Sequence, residues 1–198
     1  TEEDVLRELT PRRTPVSASV EPFTNAAGLR RDRLSITIDG ITVTGEINAS
    51  EWFVESEADH VTIRRRGNES FAVHFAGFHA LDFRASSGNP QALLNRLFLA
   101  DLLIDGIGPP DLYPFEADAD AVEVGRDRWF GVPGTHVSIL KDYRGQPPVD
   151  LRVWAVSVDR DFDRHLTLVA IAEAPAETED GIETVLAFCD SLELPDLD

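Results

Sequence analysis

Two periodicities run along this chain, and the clearest is the period of two. Leu34, Ile36 and Ile38 alternate with Ser35 and Thr37, and Ile41 and Val43 alternate with Thr42 and Thr44. Such alternation marks strands with one buried face. Between the two runs stands Asp39-Gly40, the chemistry of a two-residue primed turn, whose central residues both need positive φ. The stretch therefore predicts a tight antiparallel hairpin with Leu34, Ile36, Ile38, Ile41 and Val43 on its buried face.

A longer pair of runs spans Val149 to Ala172. Val149, Leu151 and Val153 alternate with Asp150 and Arg152, after which Trp154, Val156 and Val158 fill the other parity. The second half of this strand is expected to be covered on both faces, as a central strand is. Leu166 to Ile171 supplies the return strand, and the charged run Asp159 to Arg164 reads as the connecting loop. This hairpin is expected at the middle of the sheet.

Shorter strands are predicted around these two hairpins. Ile47 to Val54, carrying Trp52 and Phe53, is expected to pair next after the first hairpin. His60 to Arg65 and Phe71 to Phe75 read as a second hairpin joined at Gly67-Asn68, and Phe78 to Phe83 continues it after a bulge at Gly77. Ala121 to Val124, Arg128 to Val132 and Thr135 to Lys141 supply three more, and Arg12 to Val20 is expected to be extended.

Helical spacing occurs in three places. Glu2 to Leu9 is expected to form a short helix stopped by Pro11. Gln91 to Ile104 has Asn89-Pro90 at its start and Gly106 past its end, the asymmetry of helix termini. Its leucines leave little polar surface, so it is expected to be buried or to bind a partner. From about Glu177 to Asp190, Ile182, Val185, Leu186 and Cys189 share one apolar side, and Ser191 to Leu194 adds a last short strand. Together these elements predict an α+β fold: a mostly antiparallel sheet with one buried apolar helix and a C-terminal amphipathic helix. Residues 1–198 read as one domain, with a helix and extended arm over 1–28 and the sheet and two helices over 29–198.

Charge changes the picture most. The chain has 36 acidic residues against 18 basic ones, a net charge of -18. Lys141 is the one lysine; the other basic residues are arginines. In composition this resembles proteins of halophilic archaea. At molar salt the Debye length falls to about 3 Å, so the self-repulsion of such a surface is screened. The acidic balance argues against nucleic-acid and anionic-membrane partners, which need a basic footprint. Only Arg30-Arg31-Arg33 and Arg64-Arg65-Arg66 concentrate positive charge, and both read as solvated, acid-paired runs. No run of about 18 apolar residues suggests membrane insertion. The start at Thr1-Glu2-Glu3 favours a cytoplasmic protein that has lost its initiator methionine. Secretion after signal removal is the alternative, kept open by the glycosylation patterns at Asn48-Ala49-Ser50 and Asn68-Glu69-Ser70.

Candidate chemistry is sparse. Cys189 is the single cysteine and reads as a buried structural thiol, because reactive thiols sit in exposed electropositive surroundings. Asp159, Asp161 and Asp163 have the spacing that opens a calcium loop, but Arg164 stands where the turn glycine belongs and Ala170 where a bidentate glutamate should be. They are the metal candidates, with a solvated acidic loop as the stronger reading; Glu116, Asp118 and Asp120 read the same way. His74, His79 and Asp82 form a candidate binding cluster across the expected bulge, with Trp154 as a pocket wall. The bland alternatives are strand-surface histidines and an ordinary core tryptophan. No nucleophile elbow, phosphate loop or zinc spacing occurs, so no cofactor is expected and a non-enzyme is favoured.

The order of elements from Val149 to Leu194, a long hairpin, a Pro175-ended crossing, an amphipathic helix and the short strand Ser191-Leu-Glu-Leu194, resembles the end of PsbP-like α/β domains. That resemblance implies an adaptor or assembly role and transfers no site residue. The function expected is a non-catalytic interaction or assembly protein of a halophile, with a protein partner or homo-oligomer. The competing expectation is a small-molecule-binding protein or enzyme with a pocket between sheet and helix.

Overall fold

The computed structural model describes residues 12–79, 122–129, 132–141, 149–161 and 164–194. Within them are twelve strands: β1 (Arg12–Arg13), β2 (Val16–Thr24), β3 (Arg30–Ile38), β4 (Ile41–Ile47), β5 (Trp52–Ser56), β6 (Val61–Arg65), β7 (Asn68–His79), β8 (Val122–Trp129), β9 (Val132–Lys141), β10 (Val149–Asp161), β11 (Arg164–Pro175) and β12 (Leu192–Glu193). One helix, α1 (Gly181–Asp190), precedes β12. The strands form two sheets and every pairing is antiparallel. The larger, eight-stranded sheet runs β5-β6-β7-β11-β10-β9-β8, with β1 also pairing β7. The smaller runs β12-β4-β3-β2. The fold is α+β and mostly antiparallel, as the alternation predicts.

The β3–β4 hairpin forms as expected. Asp39 and Gly40 have φ of 47° and 78°, and Ile38 pairs Ile41 across them. Leu34, Ile36, Ile38, Ile41 and Val43 are all buried. They meet Val61, Ile63, Phe71, Val73 and Phe75 of the larger sheet in one apolar cluster. The smaller sheet thus lies against one face of the larger. Trp52 was expected to extend the first hairpin; instead the chain changes sheets between β4 and β5. Asn48 makes that corner: its side-chain Oδ1 accepts bonds from Ser50 N and Ser50 Oγ at 3.2 and 2.7 Å, and its carbonyl accepts from Glu51 N and Trp52 N, each at 2.9 Å.

The helix packs on the same face. Ile182, Val185, Phe188 and Cys189 are its buried stripe, and the Phe188 ring stacks on Trp52 at 4.9 Å between centroids. Burial pushes the Cys189 thiol well above its usual range, consistent with an inert structural residue. Ser191 closes the helix by donating from Oγ to the Phe188 carbonyl at 2.6 Å. The chain then enters β12, whose Leu192 sits opposite Gly45. A Cβ on Gly45 would stand 2.8 Å from the Ser191 carbonyl oxygen, so glycine is needed for the helix exit to approach β4. At the other end of the molecule the Arg13 guanidinium reaches Asp59 at 3.1 Å. Hydrogen bonding from His60 at 2.9 Å, aided by Arg13, holds the Asp59 carboxyl below its ordinary pKa despite partial desolvation.

The 149–172 hairpin lies where the sequence puts it. β11 is the middle strand of the path through the larger sheet, flanked by β7 and β10. Its faces are both buried: Leu168, Ala170 and Ala172 join the inter-sheet core, and Thr167, Val169 and Ile171 are buried on the other face. Two expectations need correction here. The charged run from Asp159 is not a loop up to Arg164, because β10 continues to Asp161 and β11 starts at Arg164, with Asp161 opposite Arg164. Ladder hydrogen bonds are made by the backbone, so pairing continues past the apolar residues. Gly77 is not a bulge either. The β7–β11 register runs unbroken from Ala72 to His79, and the glycine is there for a close approach between sheets. A Cβ on it would overlap Ile38 Cγ2 and lie 3.0 Å from Thr14 Cγ2. The expected helices at 2–9 and 91–104 lie outside the described residues.

Candidate functional site

The histidines are separated by strand geometry. With no bulge at Gly77, residues of even and odd number on β7 point to opposite faces. His74 shares its face with Ala72 and Ala76, whereas His79 lies on the face that meets the smaller sheet. His79 accordingly approaches Asp39 of the β3–β4 turn, Nε2 to Oδ2 at 3.7 Å. The two therefore do not converge, and Asp82 lies outside the described residues. Trp154 does not wall a pocket: it is 1% exposed and belongs to the apolar core. Asp159 and Asp161 lie in the backbone ladder of β10, not in a ligating loop, and Asp163 lies outside the described residues. No group of three or more His, Cys, Asp or Glu side chains that could hold a metal ion occurs among the described residues.

His74 does have polar company. Its Nδ1 lies 2.9 Å from Thr62 Oγ1 on β6, its neighbour in register. Its Nε2 lies 3.5 Å from Glu173 Oε1 on β11, an ion-pair distance but too long to count as a hydrogen bond. Arg64 Nη1 is 3.9 Å from the same carboxylate oxygen, and Arg64 Nε donates to Glu55 at 2.8 Å. The carboxylate–imidazole–hydroxyl order is that of a nucleophile relay. Here, however, Thr62 is buried, at 4% exposed. The cluster joins three strands, β6, β7 and β11, through polar side chains.

The described surface offers something different at the edge of the smaller sheet. β2 pairs only β3 within that sheet, in the register Val16–Ile38 to Thr24–Arg30. Which way its amides point follows from three bonds and registers that agree. Asn25 N donates to the Leu29 carbonyl at 2.9 Å, which makes Phe23–Arg31, Glu21–Arg33 and Ser19–Ser35 the hydrogen-bonded pairs. Ile38–Ile41 closes a two-residue turn, so the even residues of β3 bond to β4. Val16 N points away from β3 and donates to the Ala58 carbonyl at 3.2 Å. The N–H groups of Ala18 and Val20 therefore face outward along the edge, and Pro22 stands at the next outward position. Proline at that place gives up a donor that the sheet does not use, as on other edge strands.

Exposure singles out the same hairpin. Val20 at 39% and Leu29 at 50% are the exposed large hydrophobic residues among those described; one lies on β2 and the other in its turn. Beside them a groove of about 480 Å³ is lined by Arg30, Arg31, Asp32, Glu46, Ile47 and Asn48. Arg31 Nε faces Glu46 at 3.8 Å, and the Arg33 guanidinium covers the Phe23 ring at 4.4 Å. This edge was not recognised in the sequence, although Pro22 amid extended residues is the signal that marks one.

No family model matches the chain, and no curated protein matches it. Among solved structures it is similar to LpqN, described as involved in cell envelope biogenesis of Mycobacterium tuberculosis. The identity is 9% and the TM-score 0.44, over 98% of this chain and 96% of that one. No helix among the described residues is long and apolar enough to cross a membrane.

Proposed function

We propose that this protein is a non-catalytic interaction protein that contacts a protein partner through the β2–β3 hairpin. The observation that carries this reading is the coincidence, on one hairpin, of a strand that has a ladder partner on one side only among the described residues with the exposed apolar side chains Val20 and Leu29. Extended edges recognise partners by adding a strand, with backbone bonds giving affinity and alternate side chains giving selectivity. The composition favours work in molar salt, where screening removes the long-range repulsion of a chain of net charge -18. A cytoplasmic setting belongs to the same reading, as does the apolar run of leucines at 91–104 as a second contact. The adaptor role implied by the PsbP-like order of elements over 149–194 agrees with it.

Site-specific photo-cross-linking tests the proposal. A photoreactive residue at Leu29 is expected to capture a protein in an extract at molar salt, whereas one at Gly67, in the β6–β7 turn, is not. Equal capture from both positions, or none from Leu29, contradicts the proposed surface.

A further inference from the structure

We propose that the partner meets the β2–β3 hairpin with an acidic segment, one carboxylate of which sits in the groove at the end of β4 against Arg30. This rests on the interaction reading above and adds the chemistry of the partner. The two arginine clusters, alike in sequence, differ in the fold. Arg64 donates to Glu55 at 2.8 Å, Arg65 reaches Glu51 at 3.3 Å, and Arg66 donates to the Ala49 carbonyl at 2.9 Å. That cluster is occupied within the chain. In the other, Arg31 lies 3.8 Å from Glu46 and Arg33 covers the Phe23 ring. The exposed Arg30 guanidinium forms no hydrogen bond or ion pair among the described residues. Acid pairing, expected of both runs, does not extend to Arg30.

The backbone supplies a second donor. β4 ends at Ile47, opposite Asp32, whereas β3 begins two residues earlier, at Arg30. The even residues of β3 bond to β4, so the Arg30 N–H points into the space left where the chain turns away at Asn48. The groove lined by Arg30, Arg31, Asp32, Glu46, Ile47 and Asn48 lies at this place. Asn48 Oδ1 accepts from Ser50, which leaves the Asn48 amide nitrogen to donate at the groove wall. Guanidinium forks and N–H groups are the donors that recognise a carboxylate. Arg31 faces Glu46, so Arg30 is the cation left for a ligand. Asp32, on the same face of β3 as Arg30, disfavours a second carboxylate beside the first. From Pro22 to Leu34 the chain carries three arginines against one aspartate, in a protein of net charge -18. An acidic partner set against this hairpin meets opposite charge at contact distance, where molar salt screens least. Leu29, 50% exposed, stands next to Arg30 and offers an apolar contact beside the charged one.

The test uses the purified full chain and fluorescein-labelled peptides, read by fluorescence anisotropy in molar salt. One peptide alternates glutamate with threonine around a central leucine; the other has glutamine for every glutamate. The glutamate peptide is expected to bind about tenfold more tightly, the size of one hydrogen bond to a charged group. Arg30→Gln is expected to remove that preference with an unchanged circular dichroism spectrum, since the side chain is exposed. Arg64→Gln, in the occupied cluster, is expected to keep it. Equal binding of the two peptides, or a preference that survives Arg30→Gln, overturns the inference. Displacement of the peptide by an equal concentration of free glutamate overturns it too, because the groove would then serve a small carboxylate. The Leu29 photo-probe separates this contact from the reading beneath it. Capture undiminished by Arg30→Gln overturns the acidic contact and leaves the interaction surface standing, whereas no capture even by the chain that keeps Arg30 overturns both.

Discussion

Trp154→Ala is expected to lower the unfolding free energy by about 3–5 kcal/mol, the cost of emptying a large aromatic site in a core that relaxes only in part. Trp154 is 1% exposed and is among the largest fully buried side chains described. It sits on β10 opposite Ala170 of β11 and His136 of β9, so the small Ala170 beside it can fill little of the space left. Since whole domains are stable by only about 5–15 kcal/mol, this substitution removes a large part of the margin. Urea unfolding, with the midpoint falling and the slope unchanged, is the measurement. A loss below about 1 kcal/mol would mean that the indole borders empty space, as a pocket wall does, and would contradict its place in the core.

Gly77→Val is expected to cost about 3 kcal/mol through overpacking. At Gly77 β7 comes close to the smaller sheet, with Ile38 and Thr14 against it. Both neighbours are fixed: Ile38 ends β3 at the tight Asp39-Gly40 turn, and Thr14 N donates to the Gly77 carbonyl at 2.9 Å. Neither can withdraw without moving a strand. The physical origin is checked by coupling. Ile38→Ala removes the methyl group that a new Cβ would strike, so the double variant Gly77→Ala/Ile38→Ala is expected to be more stable than the sum of its single changes implies. Strict additivity would place the two residues out of contact.

Much of this architecture was legible in the sequence because alternation and turn chemistry are local. Asp39-Gly40 with its flanking isoleucines, the strands meeting at Gly67 and the long pair from Val149 all state their own partners. The C-terminal helix announced its stripe through Ile182, Val185 and Cys189, and its observed start at Gly181 lies a few residues later than expected. What stayed hidden depends on distant parts of the chain. Trp52 reads as part of a strand from Ile47 to Val54 that pairs next after the first hairpin, and only the corner at Asn48 sends it to the other sheet. Gly125-Arg126-Asp127 reads as a break, yet β8 runs through it because β9 supplies a paired backbone over Thr135, His136 and Gly134.

The candidate site shows the same division. The five-residue spacing of His74 and His79 already places them on opposite faces of a regular strand; an expected bulge at Gly77 was what allowed them to converge. The glycine was explained by the sheet packed over it, which no local pattern discloses. Edge status is equally non-local. Val20 and Pro22 read as part of an extended arm, and their outward positions have meaning only once β3 and β4 occupy the other side. The imidazole of His74 found its partners, Thr62 and Glu173, from strands far apart in sequence.

Amide hydrogen exchange along β2 tests the central claim, that this edge is an open binding edge, most directly. The N–H groups of Ser19 and Glu21 point to β3 and are expected to be protected in either condition. Those of Ala18 and Val20 point outward and are expected to exchange quickly in the purified protein, then slow in an extract at molar salt. Protection of Val20 that appears with the extract, on a strand whose Ser19 and Glu21 are protected throughout, is the predicted result. Fast exchange at Ala18 and Val20 in the presence of extract, or the reverse alternation along the strand, would contradict it.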